Sequence, residues 1–213
     1  MATLRTRGTV TGVHVGTSGW SYPSWRGGFY PAGADPKTFL GFYAQRFDTV
    51  ELNTTGYRLP AEDQFRRWAE QVPDGFTFAV KLALTRLDRV GTFVERVQAL
   101  GDRLGPLRIV VESPRDDGLL AFVQGSLPPE LHVAWDLRDP SWDEVSGLVR
   151  VNDETAESFR YLRLREPPYT DADLAELAVR IRAPAFVYFR HEEAATAPDY
   201  AERLLSLLRG NLA

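Results

Sequence analysis

Residues 48–60, DTVELNTTGYRLP, predict one short β-strand that ends by presenting polar side chains. Val50 and Leu52 alternate with Glu51 and Asn53, so the apolar pair faces one side of the strand and the polar pair the other. The Thr-Thr-Gly that follows breaks the strand, and a proline precedes the next helical pattern. A carboxylate and an amide at the end of a strand are typical of a ligand site.

The composition is that of one ordinary globular protein. The chain has 213 residues, 44% hydrophobic and 25% charged, which predicts a single domain over residues 13–213 after an N-terminal tail, residues 1–12. A net charge of −4 argues against a broadly basic nucleic-acid surface. The absence of cysteine excludes disulfides and thiolate chemistry. We expect a cytoplasmic protein without membrane spans, because no long apolar run occurs.

Hydrophobic periodicity predicts eight strands, mostly followed by helices. The strands fall at 13–18, within 48–60, and at 76–81, 107–113, 131–138, 148–153, 159–166 and 185–190. The helices fall at 36–46, 61–71, 91–104, near 119–125, and at 171–182 and 198–209. This order favours an α/β fold, a parallel TIM-like (β/α)8 barrel. Its helices between strands five and seven are predicted to be shortened or missing, because the connections there are too short.

The strands divide into an apolar face and a polar face. The apolar face, expected to point outward at the helices, carries Val50, Leu52, Ile109, Val111, Leu137, Leu162, Leu164, Val187 and Phe189. The polar face, expected to point into the barrel, carries Glu51, Asn53, Lys81, Glu112, Asp136, Arg138, Asn152, Arg163, Arg165 and Arg190. Most of the polar positions are near the C-terminal end of their strand, where barrel enzymes place their active sites.

This polar set predicts an anion-binding pocket. Substrate binding is assigned to Trp20, Asn53, Glu112, Arg138, Arg163, Arg165 and Arg190, since guanidinium groups suit phosphate or carboxylate. Glu51 and Asp136 are candidate proton-transfer groups, and Lys81 is a candidate base or electrostatic stabiliser. The alternative is a closed salt-bridge network that fills the end of the barrel without binding anything.

No sequence motif implies a cofactor, so the identity of any cofactor is unknown at this point. Glu51, Glu112 and Asp136 could hold magnesium or manganese through oxygen ligands, but the neighbouring arginines argue against this alternative. His14 and His132 lie early in their strands and are interpreted as structural. His191 follows a strand end, but strand alternation predicts that its side chain points away from the pocket.

The loop over residues 19–36 is unusually rich in aromatic side chains. It either folds down as a plug or forms the wall of a ligand site. In the second case Trp20, Trp25 and Tyr30 could stack on the bases of a nucleotide or a nucleic-acid strand.

Several segments resemble the YecE-like proteins, the family called domain of unknown function 72. They are GTSGWSYPSWRGGFYP, TVELNTT with YRLP, WAEQVPDGFTFAVK, DLRDPSW, YLRLRE and VYFRHEEAATAPDYAERLL, spanning about residues 13–208. The resemblance implies a TIM-like fold and leaves the activity unestablished. Glu51, Asn53, Lys81, Arg138 and Arg163 match the family pattern.

The second half of the chain departs from that pattern at the predicted pocket. Arg165 stands where the family has a histidine, and Arg190 and His191 stand where it has asparagines. Where the family commonly reads ExRHxSW, this chain has Asp136 and Arg138, with Asp139 in place of the histidine. A more anionic ligand or a lost activity would each account for these changes. The hypotheses are therefore an enzyme acting on a small anion, a nucleotide or single-strand binding module, and a scaffold with a degenerate pocket.

Overall fold

The computed structural model describes residues 12–56, 58–84 and 87–210. The described residues form seven strands: β1 (Val13–Thr17), β2 (Thr49–Leu52), β3 (Thr77–Ala83), β4 (Leu104–Val111), β5 (Val133–Leu137), β6 (Arg160–Leu164) and β7 (Ala185–Phe189). The α-helices are α1 (Phe39–Tyr43), α2 (Glu62–Glu70), α3 (Val90–Val97), α4 (Asp117–Ser126), α5 (Asp171–Arg180) and α6 (Thr196–Gly210). Short 3-10 turns occur at Pro23–Trp25, Pro36–Thr38, Thr54–Gly56, Leu87–Arg89, Gln98–Arg103 and Pro140–Trp142. Apart from Gly12, the predicted tail lies outside the described residues.

The strands form two parallel sheets, so the α/β class is confirmed. One sheet has the order β1-β7-β6 and the other β2-β3-β4-β5, and every pair within them is parallel. Isolated bridges join segments of the two sheets: Ser18 with Glu51, Trp135 with Arg150, and Val151 with Tyr161. The predicted strand at 148–153 is present only through the bridges at Arg150 and Val151.

The connections on either side of those bridges carry no α-helix in the described chain. Residues 138–149 contain only the 3-10 turn Pro140–Trp142, and residues 152–159 contain turns. The prediction of shortened or missing helices between the strands predicted at 131–138 and 159–166 is therefore confirmed for the described residues.

The third helix ends earlier than its apolar periodicity predicts. Helix α3 stops at Val97, and a 3-10 segment follows in which Gly101 adopts φ 54° and ψ −134°. Only glycine reaches that conformation readily, so the helical pattern is interrupted and β4 begins at Leu104.

The two faces of the sheets are buried in separate apolar clusters, as alternation predicts. The larger cluster packs the sheets against the helices and includes Val50, Leu52, Ile109, Val111, Leu162, Val187 and Phe189. The smaller cluster is on the opposite face and is formed by Ala79, Ala134, Phe159, Tyr161 and Tyr188. The polar side chains of the predicted site share this second face, so they stand above a small apolar floor.

The aromatic loop after β1 is folded into the core. Trp25 is fully buried and donates from Nε1 to the carbonyl of Glu192 at 3.2 Å. The ring of Tyr30 stacks on Phe39 at 3.9 Å. Because these ring faces are covered by protein, they are not open to a base in this structure, and the loop is a plug.

Trp20 lies in the same core. It is only 9% exposed and meets the rings of Trp68 at 5.3 Å and Phe78 at 6.3 Å, edge to face. Phe78 belongs to the outward cluster, so the structure places Trp20 between sheet and helix, away from the polar face.

No helix in the described part of the chain combines the length and the apolar character that crossing a bilayer requires.

Candidate functional site

A buried arginine joins two strands at the centre of the polar face. Arg108 of β4 donates from Nε to Glu51 Oε1 at 2.6 Å and from Nη1 to Asp136 Oδ2 at 2.5 Å. Its Nη2 donates to Asn53 Oδ1 at 3.3 Å. The side chains of Arg108, Glu51 and Asp136 are 3%, 0% and 6% exposed. The strand registers place Glu51 opposite Ala79, Arg108 opposite Lys81 and Ala134, and Asp136 opposite Val110, so the three side chains occupy successive positions on one face.

Glu51 accepts three hydrogen bonds. Besides the contact from Arg108, its Oε1 accepts from Tyr161 Oη at 2.8 Å and its Oε2 accepts from Arg163 Nε at 2.7 Å. Burial would raise the pKa of the Glu51 carboxyl, but Arg163, Arg108 and the Tyr161 hydroxyl lower it to about 2. Glu51 is therefore ionised at neutral pH and fixes the groups around it.

Asp136 holds a second group of arginines that reach the surface. Arg138 donates two hydrogen bonds to Asp136, from Nε to Oδ1 at 2.7 Å and from Nη2 to Oδ2 at 3.1 Å. Arg165 donates from Nη2 to the same Oδ2 at 2.5 Å. Burial raises the pKa of Asp136, but the Arg138 hydrogen bond and the charges of Arg165 and Arg108 bring it below its ordinary value. The side chains of Arg138 and Arg165 are 44% and 30% exposed, so both guanidiniums can meet a ligand.

These six ionised residues form a unit that we call the mouth cluster: Glu51, Arg108, Asp136, Arg138, Arg163 and Arg165. Four guanidiniums face two carboxylates, which leaves two positive charges in excess. The effect is visible on Arg165: burial lowers its pKa, Asp136 opposes this, and Arg138, Arg108 and Arg163 lower it further. An added anion would relieve that repulsion.

Arg163 has hydrogen-bonding capacity left over. Its side chain is 5% exposed, and Nη1 is buried without a hydrogen-bond partner in the described chain. Its backbone is fixed, because its N–H donates to Asn152 Oδ1 at 2.6 Å and its carbonyl accepts from Asn152 Nδ2 at 3.3 Å. Asn152 reaches this position with φ 67°, a left-handed conformation that asparagine tolerates.

A cleft of about 580 Å³ opens beside Arg163 and Arg165. Its lining includes Asn152, Glu166 and Tyr169. The Tyr169 hydroxyl accepts from the Glu166 N–H at 2.8 Å, which closes the turn after β6. The cleft gives a small molecule access to the two arginines from the side of α5.

The structure thus brings together most of the predicted polar set and leaves three members outside it. Lys81 is half-buried, with its aliphatic chain beside Gly56, and its backbone carbonyl accepts from Thr55 Oγ1 at 2.7 Å. Glu112 and Arg190 are exposed, and the ion pairs of the mouth cluster among the described residues include neither of them. Their roles stay predictions.

The suggested divalent-metal set is not assembled. Arg108 occupies the space between Glu51 and Asp136, so a guanidinium already neutralises the two carboxylates, and Glu112 is elsewhere. The described residues contain no group of three His, Asp or Glu side chains arranged for a metal.

Two buried members of the site, Arg108 and Tyr161, were missed by the sequence analysis. Both obey the alternation that identified their neighbours, since Arg108 shares a face with Glu112 and Tyr161 with Arg163. His191 lies beside the end of the strand that carries Arg163, because the Arg190 N–H donates to the Leu164 carbonyl at 2.8 Å, and its ring stacks on Tyr22 at 4.4 Å. His14 is structural as predicted, with Nδ1 2.7 Å from Asp48 Oδ2.

The family model described as "Protein of unknown function DUF72" matches residues 14–151. This is more than half of the chain, and the chain belongs to that family. The matched segment carries Glu51, Arg108, Asp136 and Arg138, whereas Arg163 and Arg165 lie beyond it.

Curated relatives agree with this assignment. Over 143 residues the chain is 32% identical to UPF0759 protein YecE from Escherichia coli strain K12 and, equally, from strain O157:H7. The match covers 61% of this chain and 50% of each relative, so the chain spans about half the length of the curated relatives it matches.

Two crystal structures of a DUF72 family protein from Enterococcus faecalis V583 share the fold. Their TM-scores are 0.71 and 0.69, with 14% and 15% sequence identity. The first covers 92% of this chain and 95% of that one, and the second 92% and 97%. The similarity therefore extends through β6 and β7, although at this identity it establishes the fold alone.

Proposed function

We propose that the mouth cluster binds a small phosphorylated or carboxylated molecule and that the protein is an enzyme acting on it. One observation carries the proposal: a buried site with two excess positive charges contains a guanidinium nitrogen, Arg163 Nη1, with no partner among the described residues. Leaving such a donor unsatisfied costs about 1–3 kcal/mol. An anionic oxygen would satisfy both the donor and the charge.

The roles divide between buried and exposed groups. Arg138, Arg163 and Arg165 would bind the anion, while Glu51 and Asp136 act as counter-ions that hold the guanidiniums in place. Full burial and three donors make Glu51 better suited to positioning than to exchanging protons. Lys81 lies on β3 beside Gly56 of the 3-10 turn that follows β2, and it is the remaining candidate for catalysis.

The two sheets can be interpreted as parts of one ring. The bridges Ser18–Glu51, Trp135–Arg150 and Val151–Tyr161 connect the edge strands in the order that an eight-membered barrel requires. We infer a TIM-like barrel whose sixth member has shrunk to two residues. Glu51, Asp136 and Arg163 then lie near the C-terminal ends of their strands, the usual place for catalysis in that fold.

Isothermal titration with inorganic phosphate, sulfate and acetate tests the proposal. We expect binding by the wild-type chain and a loss of affinity of about tenfold or more in Arg165→Ala, because one charge-assisted contact is removed. Arg66→Ala is the matched control, since Arg66 is an exposed arginine on α2 paired with Glu62 and Asp63. Equal affinities in the two variants, or no binding by the wild type, would favour the closed salt-bridge network instead.

A further inference from the structure

Two nitrogen atoms beside the mouth cluster share an unusual state. Arg163 Nη1 and His191 Nδ1 are both buried, and neither has a hydrogen-bond partner in the described chain. Buried polar atoms in folded proteins are nearly always paired, so an unpaired one requires an explanation. The two residues lie beside neighbouring strand ends, where the Arg190 N–H donates to the Leu164 carbonyl at 2.8 Å, so a single ligand between them would satisfy both atoms.

The histidine ring is held firmly in place. His191 lies two residues after the end of β7, its N–H donates to Ser18 Oγ at 3.4 Å, and its ring stacks on Tyr22 at 4.4 Å with an interplanar angle of 12°. Tyr22 is fixed in turn, because its hydroxyl donates to the Ser18 carbonyl at 2.6 Å. Glycine is needed at position 19 for two reasons. Its φ is 87°, and a Cβ there would lie 2.5 Å from the Tyr22 hydroxyl oxygen.

The charges around His191 keep the imidazole neutral. Burial, then Arg163, then Arg190 lower the pKa of His191 below its ordinary value of 6.5. Burial raises the pKa of Tyr22 to about 12, Arg163 opposing and Glu51 adding to the rise, so this hydroxyl is uncharged as well. The neighbouring Glu192 carboxylate accepts from Thr196 Oγ1 at 2.5 Å and is directed to α6.

A neutral imidazole differs in kind from the other ligand-facing groups. The guanidiniums of Arg138, Arg163 and Arg165 can only donate hydrogen bonds. One nitrogen of a neutral imidazole accepts, and next to cations the nitrogen with the lone pair is favoured on the side that faces them. We assign the acceptor role to Nδ1 of His191, the ring nitrogen without a partner among the described residues, next to guanidiniums that can only donate.

We propose that His191 is a specificity-determining residue that accepts a hydrogen bond from a hydroxyl on the bound anion. The ligand class is then a hydroxylated anion, such as hydrogen phosphate or a 2-hydroxycarboxylate, rather than an anion without a proton to donate. The inference rests on the proposed anion site, because Arg163 would bind the charged oxygen of the ligand while His191 accepts a hydrogen bond from its hydroxyl.

Matched pairs of anions separate the two roles. At about pH 8, phosphate is mainly a dianion that keeps one hydroxyl, whereas sulfate of similar shape has none; glycolate and acetate form the corresponding carboxylate pair. We expect titration calorimetry to show the wild type binding the hydroxylated member of at least one pair about two- to tenfold more tightly, the range for one hydrogen bond. The pair that shows the preference identifies whether the anionic group is phosphate or carboxylate.

Substitutions then assign the preference to the residue. His191→Phe keeps a ring against Tyr22 but removes the acceptor, so it should bind both members of the pair alike, with sulfate or acetate affinity unchanged. His191→Asn, which retains a side-chain carbonyl near the position of Nδ1, should keep part of the preference. His132→Phe is the control, because His132 is exposed and meets only the ring of Phe159 at 5.1 Å.

The outcomes distinguish the two proposals. If anions bind and Arg165→Ala weakens them, but the wild type shows no preference or His191→Phe keeps it, the role of His191 is refuted and the anion site stands. If no anion binds, or Arg165→Ala is without effect, the site itself is refuted and this inference with it.

Discussion

Glu51 is the residue on which the site depends most. It is completely buried and accepts hydrogen bonds from Arg108, Arg163 and Tyr161. Its charge is therefore balanced by two guanidiniums that are themselves buried. Removing one partner of a buried ion pair leaves the other uncompensated.

We expect Glu51→Gln to lower the free energy of unfolding by about 3–5 kcal/mol, because two buried guanidiniums lose their counter-charge. Urea denaturation followed by circular dichroism measures it. The control is Glu62→Gln, whose exposed pair with Arg66 should contribute less than about 1 kcal/mol. Similar losses in the two variants would show that the buried network contributes no more than a surface pair.

Acid should weaken the fold through the same carboxylate. The pKa of Glu51 is about 2 in the folded chain against an ordinary 4.5, so between these values the unfolded state binds more protons. Its contribution is complete above about pH 4.5 and is lost as the pH falls toward 2. We expect the denaturation midpoint to fall across this window.

Arg163→Gln gives that acid prediction a control. Without Arg163 the pKa of Glu51 loses its largest lowering influence and moves up toward its ordinary value, so the acid-dependent loss of stability should be smaller than in the wild type and should end at a higher pH. Coincident pH profiles for the two proteins would mean that other carboxylates set the acid limit.

Strands β1 and β2 approach each other so closely at Gly16 that a side chain there has no space. A Cβ on Gly16 would lie 2.2 Å from the carbonyl oxygen of Thr49 and 2.8 Å from the hydroxyl of Tyr43. Tyr43 uses that hydroxyl to accept from the N–H of Thr17 at 2.8 Å and to donate to the Thr49 carbonyl at 3.1 Å. The junction of the two sheets therefore requires glycine at this position.

We expect Gly16→Ala to destabilise the protein by about 1–3 kcal/mol, since a methyl group must force the strands apart. Gly41→Ala is the matched change in α1, where an added Cβ meets nothing within 4 Å. There the better helix propensity of alanine should stabilise by up to about 1 kcal/mol. Thermal melts of both variants, shifted in opposite directions, would support the close approach; a neutral Gly16→Ala would contradict it.

Strand alternation could predict much of this arrangement because it is a local property. It placed Glu51, Asp136 and Arg163 on one face and the apolar residues on the other. It did not lead to Arg108, although that residue shares a face with Glu112, because Arg108 sits between Leu107 and Ile109 in an otherwise apolar strand. The buried charge of Arg108 is compensated by two carboxylates on two other strands, and no local sequence pattern reveals this pairing.

The rule also fails where a strand stops. Strand β7 ends at Phe189, so the backbone no longer alternates at His191, and the predicted outward direction does not apply. Likewise, one glycine, Gly101, ends a helix that apolar spacing would continue. These exceptions depend on backbone conformation rather than on side-chain pattern.

At the scale of the whole molecule, one apolar cluster connects both sheets with all six helices. It contains residues from β1 to α6, including Val15, Val50, Phe93, Val123 and Leu204. A shared core of this kind predicts that the two sheets unfold together.

We therefore expect one cooperative transition in urea, with tryptophan fluorescence and far-ultraviolet circular dichroism giving the same midpoint. This tests the prediction of a single domain. Two separated transitions, one for each sheet, would contradict it.

The pairing of the first strand with the last has a consequence for synthesis. β1 leaves the ribosome early, yet its ladder runs along β7, so Val13 must wait for Ala185 before it is paired. Contacts so distant in sequence slow folding and leave an apolar edge uncovered in the meantime. A nascent chain halted before residue 185 should accordingly remain open to proteases at residues 13–17, and β1 acquires its protection only after β7 has been synthesised.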